Sequence, residues 1–239
     1  MENTTATFTL MELFEMGGFV MWPLLVYSIV ALAIVLERII FIFYHDLKVE
    51  EIKDKVKAFI QEDNYEEAKN FLESQTKKNL GARILLPMVS NKDFSEYRLE
   101  KAVEVEAMSC IGSLENGFNL LTALGSLSPL TGFLGTVTGM IGAFRSIAEA
   151  ADVNAQIVAN GIYEALITTV FGLIVAIVAM AAHSVFTSIV DRFSSDVEIA
   201  CSDLIILIGE SRKEQLSSGK EKPLQDNLLA DSGAVSNEI

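Results

Sequence analysis

Three long apolar stretches constrain this chain more than any other feature. They run over residues 16–36, 116–144 and 153–190, and their only Asp, Glu, Lys or Arg is Glu164. An α-helix rises about 1.5 Å per residue and a bilayer core is about 30 Å thick, so roughly 20 apolar residues can cross it. The sequence therefore predicts an all-α membrane protein with three transmembrane helices.

The basic residues predict how these helices are oriented. No Lys or Arg precedes Arg38, and Arg145 is the only one between the second and third stretches. The others lie between the first and second stretches and beyond the third. By the positive-inside rule, the N-terminus is outside and the C-terminus is inside.

This topology predicts eight segments along the chain. The second and third helices are longer than a bilayer needs, so we expect long cytoplasmic helical extensions. After Gly209 the composition becomes polar, which predicts a disordered end. The segments are an outer N-terminal segment (1–18), transmembrane helix 1 (19–44), a cytoplasmic helical loop (45–116), transmembrane helix 2 (117–144), a short outer loop (145–154), transmembrane helix 3 (155–190), a cytoplasmic helix extension (191–209) and a disordered cytoplasmic tail (210–239).

Charge and composition exclude several functional classes. The formal net charge of −14 argues against nucleic acid as a partner. The two cysteines and two histidines have no metal-ligand spacing, and the apolar stretches hold no arrangement of a nucleophile with a base or of paired acids. We therefore expect no enzyme activity, no metal and no cofactor.

Glu164 is the residue that a membrane helix would least be expected to carry. An ionisable side chain within the bilayer is costly, so its default interpretation is a functional site.

The cytoplasmic loop predicts two antiparallel helices. Asp63 with Glu66, or Asn64 with Glu67, would cap the second helix of this loop.

The second stretch carries a stripe of small residues on one helical face. Their spacings of three and four allow two backbones to approach closely, which predicts a packing seam. The partner is either another helix of the same chain or a second subunit. The stripe consists of Gly125, Ser128, Gly132, Gly135, Gly139 and Gly142.

Two segments carry a resemblance to a known family. Residues 129–140 read PLTGFLGTVTGM, and residues 161–173 read GIYEALITTVFGL. In this order they resemble the two signature stretches of the MotA/TolQ/ExbB proton-channel family, and the similarity extends over residues 15–207. The three-span layout with a large inner loop resembles the ExbB and TolQ members, whereas the MotA type has four spans.

The resemblance implies a specific assembly in the bacterial inner membrane, where the outer segments are periplasmic. Family members form a homopentamer, in contact with membrane lipid, around the helices of an ExbD/TolR-like single-span partner whose aspartate carries protons. Proton flow drives a movement that a TonB-like or TolA-like protein transmits to the outer membrane. The family's pore threonines match Thr136 and Thr169, and its glutamate matches Glu164.

The leading hypothesis is therefore an ExbB-like subunit of a proton-driven motor that energises TonB-dependent transport across the outer membrane. A TolQ-like role in envelope maintenance and cell division relies on the same residues. A nonconducting membrane scaffold would use the seam but would leave Glu164 and the paired threonines unexplained. Glu164 lies about 7–8 Å nearer the outer surface than Thr169. It either attracts protons at the entrance or pairs with Arg145 or a partner cation.

Overall fold

The chain folds into α-helices. The computed structural model describes Phe14, residues 17–149 and residues 155–217, and every regular element in this part is a helix. Three helical stretches are long and apolar enough to cross a membrane, Met21–Tyr44, Glu96–Glu149 and Val158–Lys213, so the predicted fold class is confirmed. In chain order the helices are α1 (Met21–Tyr44), α2 (Glu50–Gln61), α3 (Tyr65–Gln75), α4 (Leu80–Ser90), α5 (Glu96–Leu114), α6 (Phe118–Glu149) and α7 (Ala155–Ser217).

The end of α6 differs from the predicted boundary of transmembrane helix 2. The helix continues to Glu149, so residues 145–149 of the predicted outer loop are helical. Two local contacts favour this extra turn. The Ser146 hydroxyl donates to the Gly142 carbonyl at 3.0 Å, and Arg145 pairs with Glu149 at 2.9 Å. Residues 1–13 of the predicted N-terminal segment and residues 150–154 of the predicted loop lie outside the described residues.

One of two compact units contains α1, α6 and α7 as far as Asp191. In it, α1 packs on α7 through Met21, Leu24 and Ile167, which are all buried. Close packing of these apolar side chains fixes the N-terminal half of α1 against α7. Three partly buried side chains complete this cluster: Phe14, Tyr27 and Phe171.

The start of α6 is set by a break that the sequence did not predict. We expected transmembrane helix 2 to continue without interruption from a cytoplasmic helix, but residues 115–117 separate α5 from α6. Gly117 has φ +86°, a left-handed conformation that glycine adopts without a steric penalty. The ring of Phe118 then stacks 6.0 Å from that of Phe186 and lies 5.8 Å from that of His183.

The other compact unit contains α2, α3 and α4, α5 as far as Gly112, and α7 from Arg192. Short connections make α2, α3 and α4 consecutive packing neighbours. Of the two caps considered for α3, the structure uses Asn64, whose side chain accepts from the Glu67 N–H at 3.4 Å. The apolar side chains buried between these helices include Val56, Ile60, Ala68, Leu72, Ile84, Leu85 and Met88.

Asn79 is the buried polar residue that ties this unit together. Its side chain accepts from the Ala82 N–H at 3.0 Å, which caps α4, and donates to the Lys48 carbonyl at 3.0 Å. We expect Asn79→Ala to destabilise the chain by about 1–3 kcal/mol, because it removes the cap of α4 and the hydrogen bond to the Lys48 carbonyl. The midpoint of thermal unfolding in detergent measures this loss. Asn64→Ala, which removes only the longer cap of α3, should cost less, and an equal cost would contradict this account.

The tail predicted to start at residue 210 begins as helix. Residues 210–217 are the last two turns of α7, and residues 218–239 lie outside the described residues. Gly209 was interpreted as the end of the helix, but it is buried within it, and a Cβ there would lie 2.7 Å from Oε1 of Glu96. The glycine therefore serves close helix approach. Beyond it, the Arg212 guanidinium donates to the Lys92 carbonyl.

Candidate functional site

The predicted small-residue stripe on α6 faces α7 of the same chain over most of its length. A Cβ on Gly132 would lie 2.9 Å from the Thr168 carbonyl oxygen and 3.0 Å from the Thr169 Cα. A Cβ on Gly139 would lie 3.0 Å from that of Ala165. Real Cβ atoms do not approach backbone this closely, so glycine allows the two helices to meet.

The other members of the stripe differ in whether they contact α7. Gly125 faces the side chain of Met180, Ser128 is fully buried, and Gly135 faces the side chain of Thr168. Gly142 does not take part, because a Cβ on it would meet nothing within 4 Å. The predicted stripe therefore packs against α7 from Gly125 to Gly139.

A matching stripe on α7 escaped the sequence analysis. A Cβ on Gly172 would lie 2.5 Å from the Ser128 carbonyl oxygen, and one on Gly161 would lie 2.6 Å from the Cβ of Ala143. The signal was present as small residues at helical spacing, but alanine and threonine outnumber glycine in it. The α7 stripe consists of Gly161, Ala165, Thr168, Gly172, Ala176 and Ala179.

Two threonine hydroxyls of α7 converge on one carbonyl of α6. Thr169 Oγ1 donates to the Gly132 carbonyl at 3.1 Å, and Thr168 Oγ1 lies 3.3 Å from the same oxygen. Thr168 also donates to the Ala165 carbonyl at 2.7 Å and is only 1% exposed. Thr168, which was not predicted as a site residue, thus lies inside the seam, whereas the half-buried Thr169 lies at its flank.

Thr136 lies on α6 one turn beyond that carbonyl. Its hydroxyl donates to the Phe133 carbonyl at 2.7 Å within its own helix, as membrane threonines commonly do. In an α-helix the carbonyl of Gly132 also accepts from the N–H four residues later, which belongs to Thr136. The Gly132 carbonyl therefore connects the two predicted pore threonines, because it accepts from the Thr169 hydroxyl and from the Thr136 backbone N–H.

Glu164 lies apart from this pair, in a cavity of about 520 Å³ near the start of α7, which is called the outer cavity because the predicted topology places that end outside. Along α7 it precedes Thr169 by five residues, which turns it about 140° around the helix axis. The spacing of the two residues predicted their separation along the helix axis, but the sequence analysis did not consider the different directions in which they point. Arg145, considered as a partner for Glu164, pairs with Glu149. The cavity is lined by Phe19, Val20, Thr138, Gly139, Gly142, Ala143, Ser146, Asn160, Gly161 and Glu164.

Arg38 is a second residue whose role the sequence did not reveal. Its side chain is only 4% exposed and forms an ion pair with Glu37. Its Nη1 donates to the carbonyls of Ser113 and Leu114 at 2.8 and 3.3 Å, and its guanidinium lies 4.9 Å from the ring centroid of Phe41. The planar fork of arginine suits this multiple capping of carbonyls at a helix end.

Known proteins share the sequence that builds this site. Residues 52–199 match the MotA/TolQ/ExbB proton channel family. An ExbB-like biopolymer transport protein of Synechocystis sp. is 34% identical over 192 residues, which cover 77% of this chain and 73% of that protein. A biopolymer transport protein of the ExbB type from Vibrio cholerae is 26% identical over 195 residues, covering 80% of this chain and 84% of that protein.

A third relative matches over a shorter region. The biopolymer transport protein ExbB of Pseudomonas putida is 31% identical over 124 residues, or 52% of this chain, and the match covers 36% of that protein. The family match includes both signature segments and therefore the α6–α7 seam. The chain belongs to the MotA/TolQ/ExbB proton channel family, as a transport subunit of the ExbB/TolQ type.

Proposed function

We propose that this chain is the ExbB-like channel subunit of a proton-driven motor in the inner membrane. Five copies surround the helices of an ExbD-like single-span partner, and proton flow energises a TonB-like transducer for transport across the outer membrane. In this proposal the outer cavity faces the periplasm, while α2, α3 and α4 lie in the cytoplasm. The names of the relatives, which describe biopolymer transport, support this assignment.

The observation that carries the proposal is the pair of threonines at the flank of the α6–α7 seam. Thr169 donates to the Gly132 carbonyl, and Thr136 lies one turn further along α6, so both hydroxyls belong to the same level of the helix pair. A neutral hydroxyl both donates and accepts hydrogen bonds. It can therefore solvate a partner's carboxyl group in either protonation state, without trapping it as a fixed cation would.

Glu164 supplies the second element of the proposal. It is half-buried in the outer cavity together with polar side chains from α6 and α7, namely Thr138, Ser146 and Asn160. A carboxylate in such a polar recess attracts cations and favours protons near the outer end of the path. In the proposed motor, the moving proton is carried by the partner's carboxyl group, and Glu164 supplies it.

The test is proton uptake by vesicles that contain the chain together with its copurified single-span partner. A pH-sensitive dye inside the vesicles reports uptake after an inward proton gradient is imposed. We expect Thr136→Val combined with Thr169→Val to reduce uptake to the leak of vesicles without protein, because valine keeps the shape but removes both hydroxyls. Glu164→Gln should reduce uptake several-fold while the complex still assembles.

Thr122→Val is the matched control for this test. Thr122 lies on α6, is exposed, and donates only to the Phe118 carbonyl of its own helix at 3.2 Å. The substitution should leave uptake at the wild-type rate. Wild-type uptake by the double threonine variant would instead contradict the proposed path and favour a nonconducting scaffold.

The transducer encoded beside the partner, and the effect of deleting the chain, separate an ExbB-like role from a TolQ-like role. Both roles require a small single-span protein with an Asp near the start of its span. An ExbB-like subunit should copurify with such a protein encoded beside a TonB-like transducer. Deletion of the subunit should abolish gradient-dependent uptake across the outer membrane. A TolA-like neighbour, with envelope leakage and a division defect on deletion, would assign the TolQ-like role instead.

A further inference from the structure

The turn of residues 17–20, which precedes α1, contacts the carboxyl group of Glu164. A Cβ built on Gly18 would overlap Oε1 of Glu164 and would lie 3.2 Å from its Cδ. The carboxyl group therefore occupies the space that any other side chain at position 18 would fill. Gly18 also has φ +65°, a conformation that side chains rarely adopt, so both the space and the backbone require glycine.

Independent contacts hold this turn against α7. A Cβ on Gly17 would overlap the Met21 side chain and lie 3.5 Å from Cγ2 of Ile167. Met21 and Ile167 belong to the buried cluster that fixes α1 on α7. Because Ile167 lies three residues after Glu164 on the same face of α7, the turn is anchored one helical step from the carboxyl group.

The same turn also lines the cavity that Glu164 enters. Phe19 and Val20, the two residues after Gly18, form part of its wall. The backbone folds back on itself here, since the Met21 N–H donates to the Gly18 carbonyl at 3.2 Å and the Trp22 N–H to the Phe19 carbonyl at 3.3 Å. The carboxyl group is thus held between a fixed turn on one side and the polar recess on the other.

From these contacts we infer that Gly18 is a positioning residue for Glu164, which sets the direction in which the carboxyl group faces the outer cavity. This inference rests on the proposed function for its consequence, but the contact itself is independent of proton transport. A side chain at position 18 displaces the carboxyl group from the turn into the cavity. The α6–α7 seam lies outside this contact and stays in place.

Chemical labelling of Glu164 by a hydrophobic carbodiimide tests the contact directly. The reagent adds to a protonated carboxyl group, and mass spectrometry of the peptide that contains Glu164 gives the labelling rate in membranes. We expect Gly18→Ala to label several-fold faster than the wild type at the same pH, because the displaced carboxyl group is more accessible. Gly18→Asn, which tolerates a positive φ better but still adds a Cβ, should show the same acceleration.

Gly117→Ala is the matched control for backbone strain. Gly117 has a positive φ of +86° in the same compact unit, but a Cβ on it would meet only Ile34, at 3.0 Å. Its substitution should leave Glu164 labelling unchanged. Unchanged labelling in both Gly18 variants, or an equal change in Gly117→Ala, would overturn the inference.

Two further results keep the test decisive. If Gly18→Ala accumulates poorly, adding Glu164→Ala should raise accumulation, because it removes the overlap and leaves only the backbone strain, and the absence of any rise also overturns the inference. For proton uptake, Gly18→Ala should lower the rate in the wild-type background but not in the Glu164→Gln background. If Gly18→Ala accelerates labelling as expected but leaves proton uptake at the wild-type rate, the proposed function is refuted and the positioning role stands.

Discussion

Gly132→Ala and Gly172→Ala should each destabilise the chain by about 1–3 kcal/mol, although alanine is the better helix former by about 1 kcal/mol. The added Cβ would lie 2.9 Å from the Thr168 carbonyl oxygen in the first variant and 2.5 Å from the Ser128 carbonyl oxygen in the second. Both obstacles are backbone atoms, so no side-chain rotation relieves the overlap. The helices must separate, and the close packing of their backbones is lost.

The midpoint of thermal unfolding in one detergent, followed by the helical circular dichroism signal, measures this loss. Gly142→Ala is the matched control, since it lies on the same helix and in the same stripe but has open space at its Cβ position. It should unfold at or above the wild-type midpoint. If Gly132→Ala were as stable as Gly142→Ala, the close approach of α6 and α7 would be contradicted.

Arg38→Met should destabilise the chain by about 2–4 kcal/mol. Methionine has a similar length and no charge, so the change leaves the Ser113 and Leu114 carbonyls without their side-chain donor and Glu37 without its ion pair. Arg38→Lys should lose less, because it keeps the charge but not the planar fork that contacts several acceptors at once.

The comparison is with Arg145→Met, measured by the same unfolding midpoint. Arg145 also forms an ion pair with a glutamate, but its side chain is 78% exposed, and such surface pairs contribute about 0–1 kcal/mol. We therefore expect a large shift for Arg38→Met and almost none for Arg145→Met. Equal shifts would show that Arg38 contributes only as a charge.

The sequence predicted those parts of the fold that depend on local pattern. The three apolar stretches indicated the three long helices, and α1 and α6 begin within two residues of the predicted positions 19 and 117. The spacing of small residues on α6 likewise predicted a seam. In each case the information lies within one helix, where hydrophobic length and helical periodicity decide the outcome.

Contacts between distant residues could not be predicted in this way. Arg38 and Ser113 are far apart in the chain, and nothing near either one indicates the other. The same holds for Gly18 and Glu164, where a turn and a helix meet. The helix also continues past the end predicted at residue 209, because that prediction used the polar composition after Gly209, and a helix that extends into solvent is polar as well.

The carbonyl of Gly132 keeps a backbone hydrogen-bond donor even without the Thr169 hydroxyl. A carbonyl oxygen has two lone pairs, and this one is approached by Thr168 and Thr169 as well as by the N–H of its own helix. Thr169 can therefore rotate its hydroxyl towards another group while the oxygen stays satisfied. In the proposed motor, the buried Thr168 fills the seam between the helices, while Thr169 keeps the freedom to turn its hydroxyl towards the partner's carboxyl group.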